Sequence, residues 1–405
     1  MKYTVLRQSK ALKGEVVLTS SKSISNRLLL IKALCQSNFE IQNLAKAKDT
    51  QTLQSILENT SDSVWDVGPA GTTMRFLCAY ASSQEGIDIE LCGTERMHER
   101  PIGILVDALR SLGADINYLN EEGYPPLKIN GKSLNGGKVV VDGSVSSQFI
   151  SALLLIAPSL KDGLQLQFEG KVASKPYIDM TLKTLQSFGV SYNWSGDTIV
   201  VNSGDYIAKT SNVEADWSAA SYWYEIAALC DYVDFKIVGL SQDSLQSDSA
   251  CVEIYESFGI ESVFEDNGVR LIRKSASDKV FNYDFTECPD IAQTVACTMF
   301  GLGVTGRLTG LESLRIKETD RIAALKVELE KLGANITVEE DDLLMLESKS
   351  LKSAVIDTYE DHRMAMAYAP LAIKQTLEID DPEVVVKSYP EYWKDLKMNG
   401  FEVEV

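Results

Sequence analysis

The sequence predicts an α/β protein assembled from small repeated modules in two groups, and three observations lead there. A phrase made of an amphipathic helix, a glycine and an alternating strand recurs at Ala108–Ala114, Thr184–Val190, Ile254–Ile260 and Glu328–Ala334, with a looser copy at Leu396–Phe401. Its glycines, Gly113, Gly189, Gly259, Gly333 and Gly400, stand 76, 70, 74 and 67 residues apart. That period is too long for a solenoid, whose repeats run to about 20–50 residues. At 405 residues, of which 45% are hydrophobic, the chain is globular throughout and too long for one ordinary core.

Each element follows from its pattern. The glycine suits the left-handed position that ends a helix, and the stretches after it, such as Ala114–Tyr118 and Ala334–Val338, alternate as strands do. No Gly/Ser-rich or Pro-rich linker marks a domain boundary. A compact crossover is therefore expected, at Asn212–Asp216, between a strand-like stretch and a helix from Trp217.

A formal charge of -19 argues against nucleic acid or an acidic membrane surface, both of which need a broad basic face. The seven cysteines are odd in number and dispersed, with no Cys-x-x-Cys pair, so a reduced cytosol is expected and neither a disulfide framework nor a zinc site. Only His98 and His362 are available, which removes His-rich metal sites and leaves open an all-carboxylate magnesium site. The start Met1–Leu6 lacks a signal peptide's apolar core, and there is no 18-residue apolar run, so a soluble, unexported protein is expected.

Against that acidic background, cations and hydroxyls gather where helices should begin. After the strand Val16–Leu18, Ser20 or Ser21 can cap a helix through Leu28–Ile31, which puts Lys22 and Ser23 among the free amides of its first turn, with Arg27 on the face of Ser23. Gly68–Arg75 repeats the logic, with Gly71 allowing close backbone approach. Gly143–Gln148 follows the strand Val139–Val141 and sets Ser146, Ser147 and Gln148 side by side, an arrangement suited to polyol hydroxyls or phosphate oxygens. Lys317–Arg321 precedes the helix Ile322–Leu325; Lys317 and Arg321 can face one ligand, and Glu318 beside them can exchange protons. Tyr359–Met366 opens an apolar helix with His362 and Arg363 in its first turn. These are seats for something small and negative.

In this order the tracts resemble the 5-enolpyruvylshikimate-3-phosphate synthases of the enolpyruvyl transferase family, over essentially the whole chain. The resemblance also rests on Glu99–Gly103, Asp142–Phe149, Ser174–Asp179, Pro289–Asp290 and Asp381–Lys387. It implies two domains, each of three βαβαββ modules around a pseudo-threefold axis, an inside-out α/β barrel. The expected division is 19–214 for the shikimate-3-phosphate side and 1–18 plus 215–405 for the phosphoenolpyruvate side with its catalytic carboxylates. Carried over residue by residue, it implies a shikimate-3-phosphate shell of Lys22, Ser23, Arg27, Ser146, Ser147, Gln148, Ser174, Tyr177, Asp290, Ser313 and Lys317. The implied phosphoenolpyruvate shell is Lys22, Gly71, Arg100, Gln148, Arg321, Arg363 and Lys387. Asp290, Glu318, Lys22 and His362 are the implied catalytic residues, with Asp290 as base at the 5-hydroxyl and either Glu318 or Lys22 protonating the methylene carbon.

The implied activity is enolpyruvyl transfer with release of phosphate, the sixth step of chorismate biosynthesis, without cofactor or metal, in a cytoplasmic monomer whose cleft closes on shikimate-3-phosphate. The sequence departs from a common family version at Pro69 and Phe76, which flank the glycine tract, and at Ser313, where an Asn is often found. Glyphosate, a phosphoenolpyruvate competitor, is expected to inhibit because Gly71 leaves room, with Phe76 able to shift the helix. Two other readings are weaker. The UDP-N-acetylglucosamine enolpyruvyl transferases differ where this chain has Ser23 and Glu95, and a non-catalytic receptor for phosphometabolites would not need Asp290 and Glu318 among its cations.

Overall fold

One wiring pattern recurs five times in the computed structural model, which describes residues 1–143, 146–170, 172, 175–348 and 351–405. Val64–Asp66 runs parallel to Asp88–Cys92, which pairs antiparallel with Leu127–Asn130, which pairs antiparallel with Asp115–Tyr118. Gly137–Asp142, Leu164–Glu169, Thr198–Val201 and Tyr192–Ser195 repeat that order. So do Ala11–Val17, Tyr232–Val238, Gly268–Arg273 and Ile260–Glu265. The fourth sheet is Tyr283–Asp284, Gly306–Thr309, Asp342–Leu346 and Asn335–Glu339. In the fifth, Val355–Ile356 and Leu377–Asp380 are followed by Lys2–Leu6 and Glu402–Glu404, so the chain's first strand completes its last module. A parallel pair needs a crossover, here helical except between Ala11–Val17 and Tyr232–Val238, where the connection also carries the unit Ser21–Val213. The α/β fold with a repeated strand, helix, strand, helix, hairpin unit is thus plain. A sixth, reduced sheet pairs only Ile41–Gln42 with Ser211–Asn212.

All five glycines of the recurring phrase adopt positive φ, 102° at Gly113, 85° at Gly189, 82° at Gly259, 101° at Gly333 and 91° at Gly400. Each turns a helix end into a strand, the first strand of a hairpin at all but Gly400, in a conformation that costs glycine no Cβ clash.

The chain divides into two units, Ser21–Val213, and Met1–Ser20 with Glu214–Val405. Thr19, Ser20 and Glu214, which fall within the 19–214 expected for the first domain, group instead with the second of these units. The reason is local: Asp216 N–H donates to Thr19 O at 2.8 Å and Ser20 bridges Ala215, so the two crossing segments pair with each other. Each unit has its own core. Each core contains a helix buried on nearly every side, Ser147–Ile156 in one unit and Trp217–Leu229 in the other. In Trp217–Leu229 every residue but Ser218 is buried. Among the described residues no helix is long and apolar enough to cross a membrane, and no group of three potential metal ligands occurs. All seven cysteines are free.

Candidate active site

In the unit Ser21–Val213 the helix Lys22–Leu34 begins at Ser21, whose hydroxyl caps it by accepting from Ile24 N. Ser21, not Ser20, is thus the cap. Lys22 Nζ lies 3.1 Å from Asp49 Oδ2, a nearly buried carboxylate from the helix Lys48–Glu58. Arg27 is buried and donates Nε to Thr181 Oγ1 (2.8 Å), Nη1 to Ser23 O (2.8 Å), and Nη2 to Ser151 Oγ and Tyr177 O (both 3.2 Å). Four of a guanidinium's five N–H groups are thus committed to neutral protein atoms. Burial lowers the Arg27 pKa to about 10, against a smaller opposing effect of Tyr177. This arginine ties the starts of the helices Lys22–Leu34 and Lys175–Ser187 together, and it has little left for a ligand.

Gly71 opens the helix Gly71–Ser83, and the Arg100 guanidinium lies against it. A Cβ placed on Gly71 would meet Arg100 Nη1 at 2.6 Å. The next helical residue, Thr72, accepts from Gln148 Nε2 at 3.1 Å, which joins the glycine tract to the helix Ser147–Ile156 capped by Ser146. Arg75 donates to Gly71 O and to Pro101 O, bracing the loop that carries Arg100. Phe76 does not interrupt the helix. Its ring is buried, with Arg27 Cζ 5.8 Å from the ring centroid. Pro69 is exposed in the preceding turn. Ser174 lies outside the described residues, as do Ser144 and Val145 of the serine tract.

In the other unit the sequence-predicted residues converge more tightly. The helix Arg321–Lys331 is capped by Asp320, and the short turn Pro289–Ile291 presents Asp290. Arg321 Nη1 and Lys317 Nζ approach the same oxygen, Asp290 Oδ1, at 3.2 and 3.7 Å, and Arg363 Nη2 takes Oδ2 at 3.0 Å. Glu318 is held by Arg321 Nη2 at 2.9 Å and by Lys387 Nζ at 3.0 Å. Below them Arg321 Nε bonds Asp361 Oδ2 at 2.6 Å and Nη2 bonds Oδ1 at 3.2 Å, a forked pair in which neither side chain is more than 2% exposed. Burial alone would lower the Arg321 pKa, but the carboxylates of Asp361, Glu318 and Asp290 more than offset it and hold it above the ordinary arginine value. His362 is buried at the start of the helix His362–Tyr368, its Nδ1 3.7 Å from Asp361 Oδ1. Ser313 sits in the turn Glu312–Ile316, which packs on the Asp290 turn.

Two carboxylates missed by the sequence argument organise these sites. Asp361 caps the helix that bears His362 and Arg363 and also forks Arg321, while Asp49 holds Lys22. Asp361 stood inside the tract Tyr359–Met366, and its N-cap position was the available signal. Nothing in the sequence pairs Asp49 with Lys22 across 27 positions.

Two carboxylates held among Lys and Arg side chains, on repeated α/β modules, are the kind of arrangement with which an enzyme carries out proton chemistry beside small anions. The sequence matches the profile of the family described as EPSP synthase (3-phosphoshikimate 1-carboxyvinyltransferase) over residues 6–60 and 54–396, and the chain belongs to that family. A 3-phosphoshikimate 1-carboxyvinyltransferase of Bacteroides fragilis (strain YCH46) is 46% identical over 410 residues, covering 100% of this chain and 99% of the relative. One from Sulfurovum sp. (strain NBC37-1) is 39% identical over 427 residues, covering 98% and 99%. An EPSP synthase structure from Acinetobacter baumannii superposes with a TM-score of 0.82 over 100% of both chains at 21% identity, a likeness of fold.

Proposed function

We propose that this chain transfers the enolpyruvyl group of phosphoenolpyruvate to the 5-hydroxyl of shikimate-3-phosphate and releases phosphate. The observation that carries the reading is the cluster in which Asp290 and Glu318 are held by Lys317, Arg321, Arg363 and Lys387. Family membership and the relatives' names supply the reaction, and the cluster supplies chemistry that fits it.

Both substrates carry a phosphate and a carboxylate. Guanidinium forks match these anions, and their arrival competes with Asp290 and Glu318 for the same cations. Added negative charge beside a carboxylate raises its pKa, so ligand binding itself turns a cation-paired carboxylate into a better proton carrier. Asp290 then takes the 5-hydroxyl proton as that oxygen bonds C2 of phosphoenolpyruvate. The methylene carbon gains a proton from Glu318 or Lys22. The resulting tetrahedral adduct expels phosphate and loses a methyl proton, which restores the vinyl group. Lys22, Gly71, Arg100, Gln148, Arg321, Arg363 and Lys387 serve phosphoenolpyruvate. Lys22, Ser23, Arg27, Ser146, Ser147, Gln148, Ser174, Tyr177, Ser313 and Lys317 serve shikimate-3-phosphate, Arg27 chiefly by fixing the helix starts. His362 supports Asp361 from beneath. The enzyme works in the cytoplasm as a monomer, without cofactor or metal, and glyphosate competes for the phosphoenolpyruvate seat.

The test is phosphate release by the purified protein from phosphoenolpyruvate with either shikimate-3-phosphate or UDP-N-acetylglucosamine, beside Asp290→Ala. Release only with shikimate-3-phosphate, lost in the variant, is expected. Release only with the nucleotide sugar would overturn the acceptor, and undiminished release by Asp290→Ala would overturn the base.

A further inference from the structure

Behind the cluster stands a carboxylate that the reaction as proposed does not use. Asp248, in the short turn Ser247–Ala250, is buried, and its Oδ2 accepts the hydroxyl proton of Ser218. Ser218 Oγ accepts in turn from Arg363 Nη2 at 3.3 Å, and that same nitrogen lies 3.0 Å from Asp290 Oδ2. Ser218 occupies the first turn of Trp217–Leu229 and is that helix's one residue that is not buried, so a long rigid element holds it facing Arg363. The other oxygen of Asp248, Oδ1, is buried with no hydrogen-bond partner among the described residues.

A serine hydroxyl has one proton and two lone pairs. With its proton committed to Asp248, Ser218 can only accept from Arg363. Burial and the charge of Asp290 push Asp248 up to about 7, against the opposing pull of Arg363 and the Ser218 hydrogen bond. Such a carboxyl is costly to keep in the interior, and its removal would relieve the protein unless the contact with Ser218 matters.

We infer that Asp248 is a positioning residue which, through Ser218, keeps the Arg363 guanidinium in place when Asp290 leaves it for the substrate hydroxyl. The inference rests on the transferase reading, in which Arg363 serves phosphoenolpyruvate. Through this relay Arg363 keeps a contact with the scaffold that does not depend on the charge state of the base.

Steady-state kinetics of the full chain test it with Asp248→Ala, Asp248→Asn, Ser218→Ala and the double variant Asp248→Ala/Ser218→Ala. Asp248→Ala and Ser218→Ala should each raise KM for phosphoenolpyruvate about tenfold, the loss of one charge-assisted hydrogen bond, with KM for shikimate-3-phosphate within about twofold. The double variant should be no worse than either single one, because both break the same relay. Asp248→Asn, whose amide oxygen still accepts from Ser218, should recover most of the loss. Equal rises in both KM values, or additive effects in the double variant, would overturn the relay. Should Asp248→Ala fail to fold, Ser218→Ala and Asp248→Asn carry the same comparison. Calorimetry with phosphoenolpyruvate keeps the two readings apart: a wild type that does not turn over sinks the transferase, whereas equal affinity in wild type and Ser218→Ala sinks the relay.

Discussion

Arg27 and Arg321 are both buried arginines at predicted anion seats, yet they are held in opposite ways. Arg27 meets two hydroxyls and two backbone carbonyls, and burial pulls its pKa down to about 10. Arg321 meets Asp290, Glu318 and Asp361, and its pKa ends above the ordinary value. A cation among neutral acceptors stabilises local structure and lends positive charge to a site without any proton carrier nearby. A cation among carboxylates organises groups that titrate, and is where proton chemistry belongs. The difference matches the division of the proposed roles, with Asp290 and Glu318 in the unit of Arg321.

The largest test breaks the compensated arginine. Arg321→Met leaves Asp361 buried without its cation, which should cost about 3–5 kcal/mol of stability by urea unfolding, the usual penalty for orphaning one partner of a buried pair. Activity should fall about a thousandfold in kcat/KM, since Asp290 and Glu318 lose the cation between them. Arg27→Met should cost less, about 2 kcal/mol, because its partners are neutral and Ser151 and Thr181 still bond each other at 2.9 Å. Its kinetic signature should be a raised KM for shikimate-3-phosphate. If Arg27→Met proved the more destabilising of the two, the contrast between the arginines would collapse.

A third arginine sharpens the point. Arg100 lies against Gly71, and the Cβ of Gly71→Ala would displace the mobile end of that side chain from 2.6 Å. We expect KM for phosphoenolpyruvate to rise about tenfold with little loss of stability, and the inhibition constant for glyphosate to rise with it. A rise confined to shikimate-3-phosphate would place Arg100 in the wrong shell.

How much of this was legible in the sequence depends on range. The five helix-ending glycines were readable because a left-handed residue after an amphipathic run is a local requirement. The wiring of the sheets was not, since Lys2–Leu6 pairs with Leu377–Asp380 across the whole chain. Lys317, Glu318, Arg321 and Arg363 could be named from their tracts and Asp290 from the family resemblance, but that Lys317 and Arg321 share one oxygen of Asp290 depends on packing between separate turns. For Arg27 the position on the face of Ser23 was legible, but that Thr181 and Ser151 take its donors was not, because those partners lie more than a hundred residues away.

Glu225 supplies the control that Asp361 lacks. Both are fully buried carboxyls, but Asp361 is forked by Arg321, whereas neither oxygen of Glu225 has a hydrogen-bond partner among the described residues. It lies in the core of Trp217–Leu229, and desolvation raises its pKa well above the ordinary value of 4.5. Between 4.5 and that raised pKa the folded protein keeps a proton that the unfolded chain has lost, so raising the pH favours unfolding. Stability present below pH 4.5 is therefore lost progressively as the pH climbs through this window. Glu225→Met removes the group and should remove the slope: its stability relative to wild type should grow by up to ~1.4 kcal/mol for each pH unit between pH 5 and 6, measured by urea unfolding. A pH-independent difference would mean that Glu225 is paired in solution, and that an uncompensated carboxyl is not what distinguishes it from Asp361.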